Sequence, residues 1–368
     1  MTTTLRSLSS LVLLMLGTLP AEQALTAAQG RHQAAAGQSE KFSAKLERGT
    51  KLAISNPNGS VTITGWDHDT VEAEADGDDG TEAIAARSVQ ESGSRKMVLE
   101  IRRRRGQADL HVKVPRYADI DPLDVRNGDL QVSGVEGAVK ISSGHGDVRL
   151  SKVGAVEISR RNGDVVISDV SGSASVELSS GDLDVKQVKG NLVVKISSGD
   201  VNVSGVSGLA DLTAASGDVA VSSAGEVRIN AASGDIHVDC VRQAVQANTA
   251  SGSVTLTRID GNVVDATTAT GDVSLTCAVK PDGRYRLHTV SGEVHMEIQP
   301  NPPGFTATIQ SYRGEIITDF PLKLQSPSTS ISKRLIGVFG DGKAQIALDT
   351  FSGTARLGKA AGPVKGCN

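Results

Sequence analysis

Eight aspartates follow a glycine at near-constant spacing: Asp129, Asp147, Asp164, Asp182, Asp200, Asp218, Asp235 and Asp272, with Ser253 and Glu293 in equivalent places. A column of carboxylates can serve two chemistries. It can ligate Ca²⁺, which takes about six to eight oxygens. Alternatively each carboxylate accepts backbone N–H groups of a tight turn in which glycine supplies a positive φ. Calcium-binding repeats bring a second glycine and further carbonyl ligands per turn, which these phrases lack. The turn reading is therefore favoured, with Asp182, Asp200, Asp218 and Asp235 as the candidate calcium ladder.

A serine precedes most of these glycines (Ser180, Ser198, Ser216, Ser233, Ser251, Ser291). A nucleophile needs a general base at a matching place, and no histidine recurs with them. His237 and His295 fall three repeats apart, about 14 Å at the inter-strand spacing, too far to share a metal. They read as surface residues. The run Arg102, Arg103, Arg104 and Arg105 is the candidate contact for a polyanion such as an acidic glycan or lipid headgroup. Its plainer role is a charged hairpin tip that blocks edge pairing. No catalytic residue, cofactor or resident metal is expected from these patterns.

The element that positions all of these residues is a repeat. Marker glycines run Gly128, Gly146, Gly163, Gly181, Gly199, Gly217, Gly234, Gly252, Gly271 and Gly292, at gaps of 17 to 21 residues. Gly163 to Gly271 are read as structural turns. Apolar residues stand two and four places after each marker (Val201, Val203; Ile236, Val238), and another stands seven places on (Val188, Val206, Val241), where the chain must bend. A second glycine about nine places on (Gly172, Gly190, Gly208, Gly261) reads as the far turn. A return run alternates again (Leu192, Val194, Ile196). Period-two alternation on both runs means two half-buried strands per coil. A unit this small cannot bury its apolar face alone and must stack on its neighbours. The expected fold is all-β: a single-chain β-solenoid, right-handed by preference, with about 18 residues and two main strands per coil and irregular caps at both ends. The left-handed hexapeptide helix is excluded, because the apolar intervals are 2, 3, 4, 2 and 2.

Residues 1–28 read as a signal peptide, with Arg6 before the apolar run Leu8 to Leu19, which is shorter than the ~20 residues of a membrane span. Residues 29–41 read as a flexible linker, 42–122 as an N-terminal β cap, 123–278 as regular coils, and 279–368 as looser coils with a C-terminal cap. In the N-terminal cap, Glu82 to Gln90 has a helical composition. Met97 to Arg102 and Leu110 to Val114 read as a hairpin around the arginine run, and Trp66 reads as packed under the cap. Of three cysteines, Cys240 and Cys277 both stand six places after a marker, with Arg258 between them. That is two coils, or about 9–10 Å, beyond the ~7 Å a disulfide spans. All three, Cys367 included, are therefore expected to be unpaired.

Ser55-Asn56-Pro57-Asn58-Gly59-Ser60-Val61-Thr62-Ile63-Thr64-Gly65-Trp66, the Ser-Gly-Asp-Val repeats, Thr289-Val290-Ser291-Gly292-Glu293-Val294 and Thr350-Phe351-Ser352-Gly353 together resemble the DUF4097 family of adhesin-like bacterial proteins. The resemblance spans residues 45 to 357 and implies an envelope-associated β-repeat protein, with no catalytic residues to carry over.

Net charge is −4, which gives no global electrostatic case for nucleic acid. Three functions are weighed. The first is an exported, non-catalytic, adhesin-like binding or structural protein, periplasmic, secreted or surface-associated, engaging a glycan or protein of the envelope or exterior. The second is a polysaccharide-active parallel β-helix enzyme, and the third a self-assembling envelope scaffold. The short coils leave no long loops to build an enzyme groove, so the first is preferred. No segment after the signal is apolar enough to cross a membrane.

Overall fold

The computed structural model describes residues 40–77, 83–91, 94–102, 107–325, 333–362 and 366–367. The expected signal and linker lie outside these residues, apart from the first two residues of the opening strand at the linker's end. Residues 103–106 lie outside as well. All described regular structure is β, in one continuous, hydrogen-bonded set of 31 strands.

Each repeat contributes an outgoing strand after its marker glycine and a return strand before the next. Outgoing strands stack in parallel register, so that Val165, Leu183, Val201, Val219, Ile236, Val254, Val273 and Val294 form one apolar column. Return strands stack likewise, as in Val156, Ala174, Leu192, Ala210, Val227, Val245, Val264 and Tyr285. The alternation read from the sequence places these side chains inward. Leu183, Val185, Val188, Leu192, Val194 and Ile196 of one repeat are all at most 4% exposed. Burial of each contributes about 1.5–3 kcal/mol, which is why a unit of two short strands holds its shape once stacked.

Two corners turn the chain. At the marker corner, Gly199 has φ +129°, and a Cβ there would lie 2.0 Å from the Gly181 carbonyl oxygen. Glycine is thus required twice over, for backbone conformation and for space. The far bend differs from the expectation. Its left-handed residue stands six places after the marker and is usually not glycine: Lys152, Asp169, Gln187, Ser223, Cys240 and Arg258 have φ of 51° to 58°. The glycines nine places on, such as Gly172 and Gly190, are absent from the positive-φ set. They serve close stacking, since a Cβ on Gly261 would meet the Gln243 carbonyl oxygen at 1.8 Å.

Both ends depart from sequential order. Lys51–Asn58 lies between Ser94–Arg102 and Asp119–Asn127, parallel to both. Val61–Trp66 likewise lies between Ala108–Pro115 and Leu130–Ser133. The first coil in sequence is therefore second in the stack. At the other end, Ala344–Ser352 lies between Arg284–Ser291 and Phe305–Ser311. The last marker, Gly353, consequently stacks directly on Gly292, with Gly314 beyond it.

The segment Ala83–Glu91 is a strand antiparallel to Ser94–Arg102, not a helix. Its Ala, Arg and Gln favour helix locally, but backbone pairing with the neighbouring strand and burial of Ile84 override that preference. Met97 to Arg102 and Leu110 to Val114 do not pair with each other. The first pairs with Ala83–Glu91 and Lys51–Asn58, the second with Thr70–Gly77 and Val61–Trp66, so they belong to opposite sheets. Glu40–Lys45, antiparallel to Thr70–Gly77, closes the outgoing sheet. Phe305, Phe320 and Phe339 cluster in the C-terminal cap at centroid distances of 5.3 to 5.6 Å.

Candidate binding surfaces

The aspartate column forms an inter-coil ladder. Asp129 Oδ1 accepts the backbone N–H of Asp147 at 2.9 Å, and Asp147 accepts that of Asp164 at 3.2 Å. The series continues through Asp164, Asp182, Asp200, Asp218 and Asp235 to Ser253 at 2.7 to 3.0 Å. The turn reading expected each carboxylate to bond within its own turn; in the stack the N–H it accepts comes from the next coil. Each rung satisfies a donor that the corner would otherwise leave to water. Ser253 preserves the pattern through its hydroxyl, which accepts the Asp272 N–H at 3.4 Å, and Asp272 accepts that of Glu293 at 2.8 Å. One oxygen of each candidate calcium ligand is thereby engaged, and among the described residues no group of three His, Cys, Asp or Glu is disposed to hold a metal.

Inside the same corner, a threonine or arginine three before a marker bonds the preceding marker carbonyl. Thr268, Thr289 and Thr350 donate to Gly252, Gly271 and Gly292 at 2.8 to 2.9 Å. Arg160 does this with a guanidinium, donating Nη2 to the Gly146 carbonyl and Nε to the Asn162 carbonyl at 3.2 Å. It is 3% exposed. Burial lowers its pKa, against the opposing pull of Asp147 and Asp129.

The serine column is structural as far as its bonds show. Ser216 and Ser233 hydroxyls donate to the carbonyls of Ser197 and Ala215. His237 and His295 lie three strands apart in register through Thr255 and Ser274, as the spacing predicted. His295 Nε2 is 3.3 Å from Glu297. His288 lies 3.3 Å from Asp349, a pairing the sequence concealed because the last coil returns to the array from far downstream.

The arginine run cannot be placed as a surface: Arg103, Arg104 and Arg105 lie outside the described residues, and Arg102 is described only as the last residue of its strand. Trp66 is half-buried, at the end of Val61–Trp66 in the link to Thr70–Gly77, two strands that flank Ala108–Pro115. Its Nε1 donates to the Thr70 carbonyl at 2.8 Å, and Lys113 lies 5.5 Å from its ring. Lys113 also lines an open groove of about 500 Å³ on the outer face of the N-terminal end, with Thr62, Thr64, Glu72, Glu74 and His111. These side chains alternate outward on three adjacent strands, Val61–Trp66, Ala108–Pro115 and Thr70–Gly77. The groove thus offers hydroxyl, carboxylate, imidazole and ammonium groups together. Sequence reading missed it, since only the non-sequential strand order brings these strands side by side.

The cysteines correct an expectation. Cys240 and Cys367 form a disulfide with Cα atoms 5.1 Å apart, and Cys277 is free and buried. The tail folds back on the array, where the Cys367 N–H donates to Asp260 at 3.0 Å. The spacing argument considered only partners within the array and so missed a partner 127 residues away. Cys277 also leaves the expected register. Its strand skips the left-handed residue, so Cys277 faces Ile259 and enters the core, where burial pushes its thiol up to about 12.

Parallel in-register coils, glycine corners and an inter-coil carboxylate ladder define an all-β, solenoid-like repeat protein. The chain belongs to the Toastrack DUF4097 family, whose model matches residues 34–241 and 208–357. No curated protein matches it. Among solved structures, a candidate cell adhesion protein from Clostridium sporogenes is 8% identical, with 88% of this chain and 100% of that one covered, at a TM-score of 0.17. A candidate adhesin from Parabacteroides distasonis is 15% identical, with 71% and 94% covered, at a TM-score of 0.21. Scores this low establish neither fold nor function for this chain. No helix among the described residues is long and apolar enough to cross a membrane.

Proposed function

We propose that this chain is an exported, non-catalytic, adhesin-like binding protein of the bacterial envelope, periplasmic or displayed outside. In this reading residues 1–28 direct export and 29–41 link the body to its surroundings. A right-handed solenoid of about 18 residues and two strands per coil holds the binding surfaces apart from the envelope. The single observation that carries the reading is the open groove around Thr62, Thr64, Glu72, Glu74, His111 and Lys113. Each row across it sets a threonine hydroxyl, a basic side chain and a carboxylate side by side, and Trp66 stands beside Lys113, an arrangement suited to a polyhydroxylated ligand such as a glycan. Arg102, Arg103, Arg104 and Arg105 form a second contact, for anionic polymer.

The test is a glycan and envelope-fraction binding screen on the full chain beside two variants. One carries His111→Ala with Lys113→Ala, the other Ser at all four arginines. Loss of salt-insensitive binding in the first variant supports the groove, and loss of salt-sensitive binding in the second supports the arginine run. Binding unchanged in both would remove these contacts from the reading.

A further inference from the structure

The residues two places before each marker glycine point outward along one edge of the return sheet, and their character changes along the rod. Toward the N-terminal end they are polar or glycine: Arg126, Gly144, Arg161, Ser179 and Ser197. From there the column reads Ala215, Ala232, Ala250, Ala269, Val290, Phe351 and Tyr312, all exposed. The strand registers place these seven on successive coils. The last three are large: Val290 and Phe351 are each 45% exposed and Tyr312 is 40% exposed. Tyr312 stacks on Phe351 at 4.8 Å, with the Arg313 guanidinium 5.5 Å from the Phe351 ring. Three large exposed apolar side chains in one row are uncommon on a surface that meets only water. Uncharged residues flank the alanine part on both sides, Thr213, Asn230, Asn248 and Thr267 on one and Ser216, Ser233, Ser251 and Thr270 on the other.

We propose that this ridge joins two copies of the chain side by side and antiparallel, about a two-fold axis at Ala269. The argument is the size gradient. Reversing the ridge against itself sets Ala215 against Tyr312, Ala232 against Phe351 and Ala250 against Val290, with Ala269 meeting its own copy. Large therefore meets small at every step away from the axis, and small meets small on it, as a self-complementary two-fold contact requires. A parallel pairing would instead set the aromatic end against itself and hold the alanines apart. The antiparallel arrangement also brings Arg313 to the Ser216-Gly217-Asp218 corner of the second copy, where Asp218 supplies opposite charge. At about 4.8 Å per coil the ridge is about 29 Å long. A strip so narrow falls short of the ~800 Å² per partner of a standard interface, so the dimer is weak, with a Kd on the order of 10 µM.

Sedimentation analysis of the full chain from about 1 to 200 µM tests this. A monomer–dimer equilibrium is expected, and Ala269→Arg raises its Kd by about 100-fold or more, because two arginines then meet at the axis. The coil tolerates arginine here, since Arg126 and Arg161 occupy the same column. Ala220→Arg, on the outer face of the other sheet, leaves the equilibrium unchanged. Phe351→Ala with Tyr312→Ala weakens it comparably to Ala269→Arg. Under mild oxidation Ala269→Cys yields a covalent dimer through residue 269 itself. A chain monomeric at the highest concentration, a dimer indifferent to Ala269→Arg, or a dimer that Ala269→Cys fails to crosslink would each overturn the proposal.

Discussion

The carboxylate of Asp182 accepts the backbone N–H of Asp200, 18 residues downstream, at 2.9 Å. Each marker corner in the regular array is thus closed partly by the coil before it, and removing one carboxylate orphans a donor in the next coil. Asp182→Ala should lower unfolding free energy by about 1 kcal/mol in denaturant melts. Asp182→Ser should lose less, since Ser253 already makes the rung with a hydroxyl.

The two corners should respond to substitution in opposite senses. Gly199→Ala forces a Cβ to within 2.0 Å of the Gly181 carbonyl oxygen at a φ of +129°, and should destabilise by about 3 kcal/mol or more. Gln187 sits at the far bend with φ 57°, where Gly205 does the same work at the next coil. Gln187→Gly should be neutral or stabilising by up to about 1 kcal/mol, and Gln187→Val should destabilise. Thermal melts of the three variants separate these outcomes.

Acid sensitivity should track Asp121. The hydrogen bond from Lys51 holds its carboxyl below the usual carboxylate range, against the opposing effect of burial. A depressed native pKa stabilises the fold above the unfolded pKa of about 3.9, and that contribution is lost as pH falls through the lower native value. Asp121→Asn should therefore be less stable than the parent at pH 7, with the difference closing below about pH 4. Urea melts across that range measure it; a gap independent of pH would show that Lys51 is not the cause.

Thiol reactivity should separate the three cysteines. The native, unreduced chain should present no reactive thiol. Reduction should release Cys240 and Cys367, and Cys277 should react only in denaturant, because it is buried and its thiol is raised to about 12. Cys367→Ser should free the tail from Asp260 and lower stability by about 2–4 kcal/mol. Titration with a chromogenic disulfide under the three conditions checks the order.

Much of the array was legible because its information is local. Alternation every second residue at positions such as Leu192, Val194 and Ile196 selects strands, and one marker glycine per coil sets the repeat. The bend was legible at Val188 and Val206 from the break in alternation, but its left-handed residue was not. Gln187, Asp169 and Cys240 share no side-chain type, because the stack imposes that backbone conformation. At the candidate site, Thr62 and Thr64 were visible in a family-like phrase and His111 and Lys113 in a strand-like one. Nothing local says that these two phrases lie side by side.

By itself, then, the sequence determined the all-β repeat, the spacing of its paired strands, its glycine corners and the inward faces, since each depends on residues close together in the chain. Tertiary structure decided what depends on contacts distant in sequence. It chose which coil lies next to which at both ends, which cysteine finds Cys240, and where each aspartate directs its carboxylate. For the Asp182 rung the reason is simple. Ser-Gly-Asp specifies a turn wherever it occurs, but the N–H that Asp182 accepts belongs to a turn that exists beside it only once the next coil has been laid down.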